Sequence, residues 1–291
     1  MIRILRAGPL CTLQDEGRFG MLAHGVSASG PMDRGAFRAA GALLEVAGST
    51  AIEFTPAGLA LEATEPVRVA FAGGEFKVAI NGKAKAWPGK AKLKAGDRLD
   101  ITPGPAGNYG YLRFEREIDI APVMGSRSTN LTVGLGGFGG RALKAGDELQ
   151  FGEPGVAVTA PVATVIDGPI RFTWGLHADL FPASVRQAFV TTPFAISPKL
   201  DRMGARLDDR GGVFAGSKSL TLVSDAIVAG DIQILGDGTP IVLLRDHQPT
   251  GGYPRIATVI SADLDRFVQL RPGTAVTFQP VTVAKAQGLL K

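Results

Sequence analysis

The chain has 291 residues, 45% hydrophobic and 20% charged, with a formal net charge of +4; that length makes one large or two medium domains with ample material for a core. The densest basic run, Lys83, Lys85, Lys90, Lys92 and Lys94, flanks the hairpin signal Asn81-Gly82 and reads as a wet face, not the focused basic stripe of a nucleic-acid binder. The lone Cys11 excludes an intrachain disulfide, and Arg3, Arg6 and Pro9 break the start before a signal-peptide core can form; with no apolar run near membrane-span length, a soluble, cytoplasmic protein without membrane contact is expected.

The first predicted element is a half-buried strand over 2–6, followed by a Gly-rich stretch over 17–30. Ala36, Phe37, Ala40, Leu43 and Leu44 recur at helical steps and predict a helix over 33–46, capped by Ser29 or Asp33. Strands are expected over 51–55, 59–62, 67–71 and 76–80. A phrase then recurs: Leu93-Lys94-Ala95-Gly96-Asp97 leading into Leu99 and Ile101, Leu143-Lys144-Ala145-Gly146-Asp147 leading into Leu149 and Phe151, and a looser Leu270-Arg271-Pro272-Gly273-Thr274 leading into Val276 and Phe278. Each copy reads as a glycine turn feeding an alternating strand. Helices are expected over 178–189, with Leu180, Phe181, Val185 and Phe189 on one face, and over 262–269, capped by Ser261. Strands are expected over 220–223, 231–235, 241–244, 256–260 and 275–278. With 39 glycines and 19 prolines spread along the chain, the fold class is mostly β with a few short helices, in two barrel-like lobes over 1–155 and 156–291, the boundary falling within 153–161.

Several chemistries fail on local context. Gly134-Leu135-Gly136-Gly137-Phe138-Gly139 satisfies G-x-G-x-x-G, but a Lys-Ala-Gly-Asp turn follows where dinucleotide binding needs a helix, and the loop has no Gly-Lys-Ser/Thr ending. His24, His177 and His247 are far apart and Cys11 has no partner, so no metal-ligand spacing exists and no metal site is expected. There is no G-x-S-x-G elbow for a serine hydrolase.

Four polar, Gly-rich segments remain, over 12–33, 125–141, 201–206 and 246–255. In them Thr12-Leu13-Gln14-Asp15-Glu16-Gly17-Arg18 continues through Gly25-Val26-Ser27 to Ser29-Gly30-Pro31-Met32-Asp33, and Glu53-Phe54-Thr55-Pro56-Ala57-Gly58 follows. Then come Arg127-Ser128-Thr129, the glycines from Gly134 to Arg141, Asp201-Arg202-Met203-Gly204-Ala205-Arg206, and Asp246 through Gln248, Thr250, Gly251, Gly252, Tyr253 and Pro254. Together these resemble the signatures of the family that unites the C subunits of 5-oxoprolinase with the biotin-dependent carboxyltransferases (allophanate hydrolase subunit 2, urea amidolyase-related), in family order across nearly the whole chain. The resemblance implies paired cyclophilin-like β-barrel lobes. Three positions depart from the family pattern: Leu200 and Pro249 stand where hydroxyl residues are usual, and Gly41 where Asn is often found.

The resemblance implies chemistry on an unreactive amide or urea, which needs donors for developing oxyanion charge and a group to move a proton. Arg127, Arg202 and Arg206 are candidates for binding anionic groups, or for pairing with Asp15, Asp33 or Asp201 to fasten loops. Asp246, with His247, is the candidate for proton transfer, or a tie for the 250–252 turn through backbone N–H groups. Gln248, Thr250 and Tyr253 are candidates for hydrogen-bonding the amide; Gly251 and Gly252 suggest close backbone approach or positive φ, as do Gly136, Gly137 and Gly139. Ser128, Gln14, Asp15 and Ser29 complete the expected site, a single amide-sized cleft closed by the four segments between the two lobes.

The function so implied is that of one subunit in an ATP-dependent 5-oxoprolinase, a hydrolase converting 5-oxo-L-proline to L-glutamate. The chain carries no ATP-grasp, P-loop or biotin-attachment signature. It is therefore expected to be inactive alone and to partner A-like and B-like subunits that supply ATP. The alternatives are the carboxyltransferase component of a biotin-dependent urea carboxylase, or a non-catalytic partner of a sporulation kinase inhibitor.

Overall fold

A computed structural model describes residues 1–158, 167–216 and 222–289. The chain divides into two compact units, Met1–Met21 with Ala28–Thr164, and Leu22–Ser27 with Val165–Lys291. Mostly β structure holds throughout, with short helices between strands.

The first unit is built from two antiparallel sheets. One orders Glu148–Leu149, Ile2–Ala7, Leu59–Ala63, Arg98–Pro103, Phe76–Ile80 and Lys83–Lys85; the other orders Thr12–Gln14, Ala51–Phe54, Gly110–Phe114, Val67–Gly73 and Gly89–Leu93. Ile2 and Ile4 are fully buried while Arg3 between them is exposed, the two-residue alternation that puts one strand face in a core. Leu13, Ile52, Phe54, Leu61, Val69 and Phe71 join them there. The expected hairpin forms at Asn81-Gly82, both with positive φ, and the five lysines beside it are exposed.

The helix Arg34–Leu44 is capped by Asp33, whose carboxylate accepts the Ala36 N–H at 2.8 Å. Ser29, the other candidate cap, instead sits buried with φ +55. The helix ends two residues short of expectation, because Val46–Ala47 pairs as a strand with Val156–Ala157. At Gly41 the Arg113 guanidinium takes the room a side chain would need: a Cβ there would lie 2.4 Å from it. The same guanidinium lies 4.3 Å from the centre of the Phe37 ring.

In the second unit one sheet runs Ala275–Val276, Phe194–Leu200, Gly204–Asp208, Pro240–Leu243, Asp231–Ile234, Arg255–Val259, Ile170–Trp174 and Phe278–Pro280. Its first and last strands are separated in sequence only by Thr277, so one stretch of chain borders both edges and nearly closes the sheet into a barrel. Phe172, Phe189, Phe194, Phe214 and Phe278 fill it, Phe189 stacking on Phe278 at 5.0 Å.

Three expectations need correction here. The helix over 178–189 breaks into a 3-10 turn, Ala178–Leu180, and the helix Ala183–Thr191, because Pro182 holds Phe181 extended and starts the second piece. Ser261 is not a cap but the first residue of Ser261–Val268, with Ile260 at the cap position. The expected strand over 220–223 lies partly outside the described residues, and Leu222 and Val223 are not strand. Strands Ile170–Trp174, Phe194–Leu200 and Gly204–Asp208 and the helix Val283–Gly288 were not legible beforehand.

The recurring phrase is one turn used three times. Gly96, Gly146 and Gly273 have φ of +85°, +91° and +85°. Each donates its N–H to a neighbouring strand, to the carbonyls of Ala63, Ile4 and Ile196. The N–H of the next residue closes the turn onto Lys94, Lys144 and Arg271. None of the described helices is long and apolar enough to cross a membrane.

Candidate functional site

In the first unit the site is organised on Asp15, just past the strand Thr12–Gln14. Its Oδ1 accepts from the Ser126 and Ser128 hydroxyls at 2.6 Å each and from the Gly17 N–H at 3.0 Å. Its Oδ2 accepts the Arg127 N–H at 2.6 Å. Burial alone would raise the Asp15 carboxyl, but these donors together outweigh it and hold the group below its ordinary value. Segments 12–33 and 125–141 thus converge.

Arg18, fully buried, reaches the same loop, donating to the carbonyls of Val123, Ser126 and Ser128. Gln14 donates to Thr12 Oγ1 and to the Thr129 carbonyl, while its own Oε1 has no hydrogen-bond partner among the described residues. The Ser29 and Thr129 hydroxyls are likewise buried without a partner among the described residues. Gly136 and Gly137 have positive φ and lie against this loop; a Cβ on Gly137 would fall 1.8 Å from Thr129 Oγ1. The Arg127 side chain is half-buried, and its guanidinium donates to the Ile120 carbonyl and to no carboxylate among the described residues.

In the second unit segments 201–206 and 246–255 also meet. Arg202 Nε and an Arg202 terminal nitrogen donate to the two carboxylate oxygens of Asp246 at 2.9 and 3.1 Å, both side chains buried. The backbones join as well, Asp246 N–H to the Arg202 carbonyl at 2.8 Å. Asp246 therefore ties its loop to the Arg202 turn, not to the N–H groups of 250–252, and the Arg202 fork is committed to it.

His247 is nearly buried, and its Nδ1 lies 2.6 Å from the Gln248 carbonyl. A carbonyl can only accept, so Nδ1 carries the proton and the lone pair sits on Nε2. Nε2 has no hydrogen-bond partner among the described residues. Burial pulls this imidazole below its ordinary value, against weaker opposing pulls from the Gln248 carbonyl, Asp231 and Asp246.

Beside it runs a network that the sequence did not single out. Arg255 donates to Asp225 and Asp231, Asp231 also accepts from Thr258, and the Arg255 N–H reaches His177 Nδ1 at 3.3 Å. Burial, and then Arg255, pull the His177 imidazole down. Buried charges look in sequence like solvated ones, and only Arg255, closing the last signature, carried a signal.

Gly251 and Gly252 do not have positive φ; they are close-approach positions. A Cβ would come 2.6 Å from Gln233 Nε2 at the first and 2.8 Å from the Leu222 carbonyl at the second. Thr250 pairs in a short strand with Ala226, Gln248 is half-buried, and the Tyr253 ring is partly exposed. Arg206 stands apart from the Asp246 cluster, facing a hollow of about 520 Å³ on the strand Gly204–Asp208. No group of three or more potential metal ligands occurs among the described residues.

A mostly β chain with two such loop clusters matches a defined class: the family model for the carboxyltransferase domain, subdomain A and B, fits residues 24–280, and the chain belongs to that family. Among named relatives it is 34% identical to the C subunit of 5-oxoprolinase from Escherichia coli (strain K12), over 98% of this chain and 93% of that protein. The corresponding protein of Haemophilus influenzae is 32% identical, over 99% and 94%. Among solved structures, Kluyveromyces lactis urea carboxylase superposes with a TM-score of 0.87 at 28% identity, covering 98% of this chain and 28% of that one. The K. lactis urea amidolyase gives the same score and identity over 98% of this chain but 19% of that one.

Proposed function

We propose that this chain is the C subunit of an ATP-dependent 5-oxoprolinase that hydrolyses 5-oxo-L-proline to L-glutamate in the cytoplasm. The observation that carries the reading is the 34% identity to a protein of that name along nearly the full length of both chains. The urea amidolyase and urea carboxylase likenesses cover only small parts of much longer chains. On this reading the chain is inactive alone, and A-like and B-like partner subunits supply ATP to activate the amide oxygen.

The residues of this chain would handle the proton. His247, neutral at physiological pH and with its lone pair on Nε2, takes a proton from the attacking water. It returns that proton to the ring nitrogen as the C–N bond breaks. Asp246, locked to Arg202, holds the imidazole's loop and is a positioning residue, not the base. Gln248, Thr250 and Tyr253 remain the candidates for holding the amide; in the first unit Arg127 remains a candidate for binding an anionic group. Gln14, Asp15, Ser29 and Ser128 would set the loop that presents Arg127.

The test is to co-express the chain with its neighbouring-gene products and assay ATP-dependent glutamate release from 5-oxoproline. Release that requires this chain is the expected result. Biotin-dependent urea carboxylation by the assembled proteins, without glutamate release, would overturn the reading.

A further inference from the structure

The hollow faced by Arg206 lies in the second unit and includes neither Asp246 nor His247. Its floor is the outer side of two neighbouring strands, carrying Ser197 and Lys199 on one and Arg206 and Asp208 on the other. The alternate residues Ile196, Ala205 and Leu207 are buried, Leu207 also bordering the hollow.

Two loops make the walls, and both are held in place before any ligand arrives. Asp209 accepts the N–H groups of Val213 and Phe214 at 3.0 and 2.8 Å, fixing the first loop. The turn before the strand Pro240–Leu243 is closed by Gly238 N–H on the Leu235 carbonyl and by Thr239 N–H on the Asp237 carboxylate. Gly238, at φ +88, lets the two walls touch: a Cβ there would sit 2.9 Å from the Phe214 carbonyl.

The charges lining the hollow are of both signs. Lys199, Arg206 and Arg210 are the cations; Asp208, Asp209 and Asp237 are the acids. Asp209 and Asp237 are engaged by their own loops. The side chains of Lys199, Arg206, Arg210 and Asp208 make no hydrogen bond or close ion pair among the described residues, although Arg206 is near enough to Asp237 to help lower its carboxyl. A purely anionic ligand would satisfy the cations and be repelled by Asp208. A ligand carrying both charges satisfies both.

We propose that this hollow binds a free α-amino acid as its zwitterion, with carboxylate on Arg206 and Lys199 and ammonium on Asp208. The volume, about 520 Å³, accommodates a small amino acid with water around it. The class follows from the charges alone. Only the choice of L-glutamate as probe rests on the function proposed above. The site separates that reaction's product from its substrate, because 5-oxoproline has an amide nitrogen where glutamate has an ammonium.

Titration calorimetry of the full chain tests this with L-glutamate, L-alanine, glutarate, inorganic phosphate and 5-oxo-L-proline. Both amino acids are expected to bind, with glutarate, which lacks the ammonium, at least about tenfold weaker. Asp208→Asn should weaken glutamate about tenfold or more and leave the weak glutarate affinity unchanged or improved; Lys199→Ala should weaken every carboxylate. Glutarate or phosphate binding as tightly as glutamate, or no amino acid binding to chain that circular dichroism shows to be folded, would overturn the proposal. Because this is read from binding by the chain alone, it can fail while the 5-oxoprolinase assay succeeds, and the reverse.

Discussion

Asp15 and the Arg202–Asp246 pair show how single side chains hold the polar loops in shape. Asp15 gathers four donors from three residues of the 126–128 loop and from Gly17. Asp15→Ala strands them in a half-buried site and should cost about 2–3 kcal/mol in urea unfolding. The folded carboxyl sits below its unfolded value. Its contribution is therefore complete above the unfolded value, near 4, and fades as pH falls through the folded one. Asp15→Asn should flatten that part of the acid unfolding curve; an unchanged curve would show that the carboxylate does not hold the loop. Arg202→Met leaves Asp246 as a buried uncompensated charge and should cost about 3–5 kcal/mol, whereas replacing both partners by apolar residues should recover most of the loss. Equal losses in the single and double variants would mean that the pair is not coupled. Cys11 is inert by contrast: burial, then Glu53, push its thiol up to about 12.

The repeated turn gives a matched set of substitutions at the scale of elements. A Cβ on Gly96, Gly146 or Gly273 meets nothing within 4 Å, so only the left-handed backbone opposes alanine there. Each Gly→Ala change should cost about 1–2 kcal/mol, nearly equal among the three. Gly137→Ala combines the same backbone with a clash on Thr129 Oγ1 and should cost clearly more than any of them. Chemical denaturation of the four variants checks both statements. The elements with a regular period or a turn signature were legible in advance: the Asn81-Gly82 hairpin, the three glycine turns and the amphipathic helix after Asp33. The missed strand Gly204–Asp208 lies in a charged stretch. Its hydrophobic alternation rests on only two residues, Ala205 and Leu207, and its pairing with residues 241–243 is a long-range contact.

For the whole molecule, the chemistry proposed at His247 sets the pH dependence of the assembled enzyme. The neutral imidazole is the working form, and burial holds it below the ordinary imidazole value near 6.5. The acid limb of kcat/KM should therefore fall below about pH 6.5, and His247→Gln should remove that limb together with most of the activity. Asp246→Asn should keep the limb and lower kcat, as expected for a positioning residue; loss of the limb in that variant would return the base role to Asp246. The sequence by itself determined the strand-rich class, the repeated turns, the family and the segments that carry polar residues, because periodicity, turn chemistry and motif order are local properties of a chain. Only the tertiary structure decided that Arg202 pairs with Asp246, that Arg206 faces a different hollow, and that Asp231 and Arg255 are buried beside the half-buried His177. Those facts depend on which side chains meet across residues far apart in sequence, and on how much water is left between them.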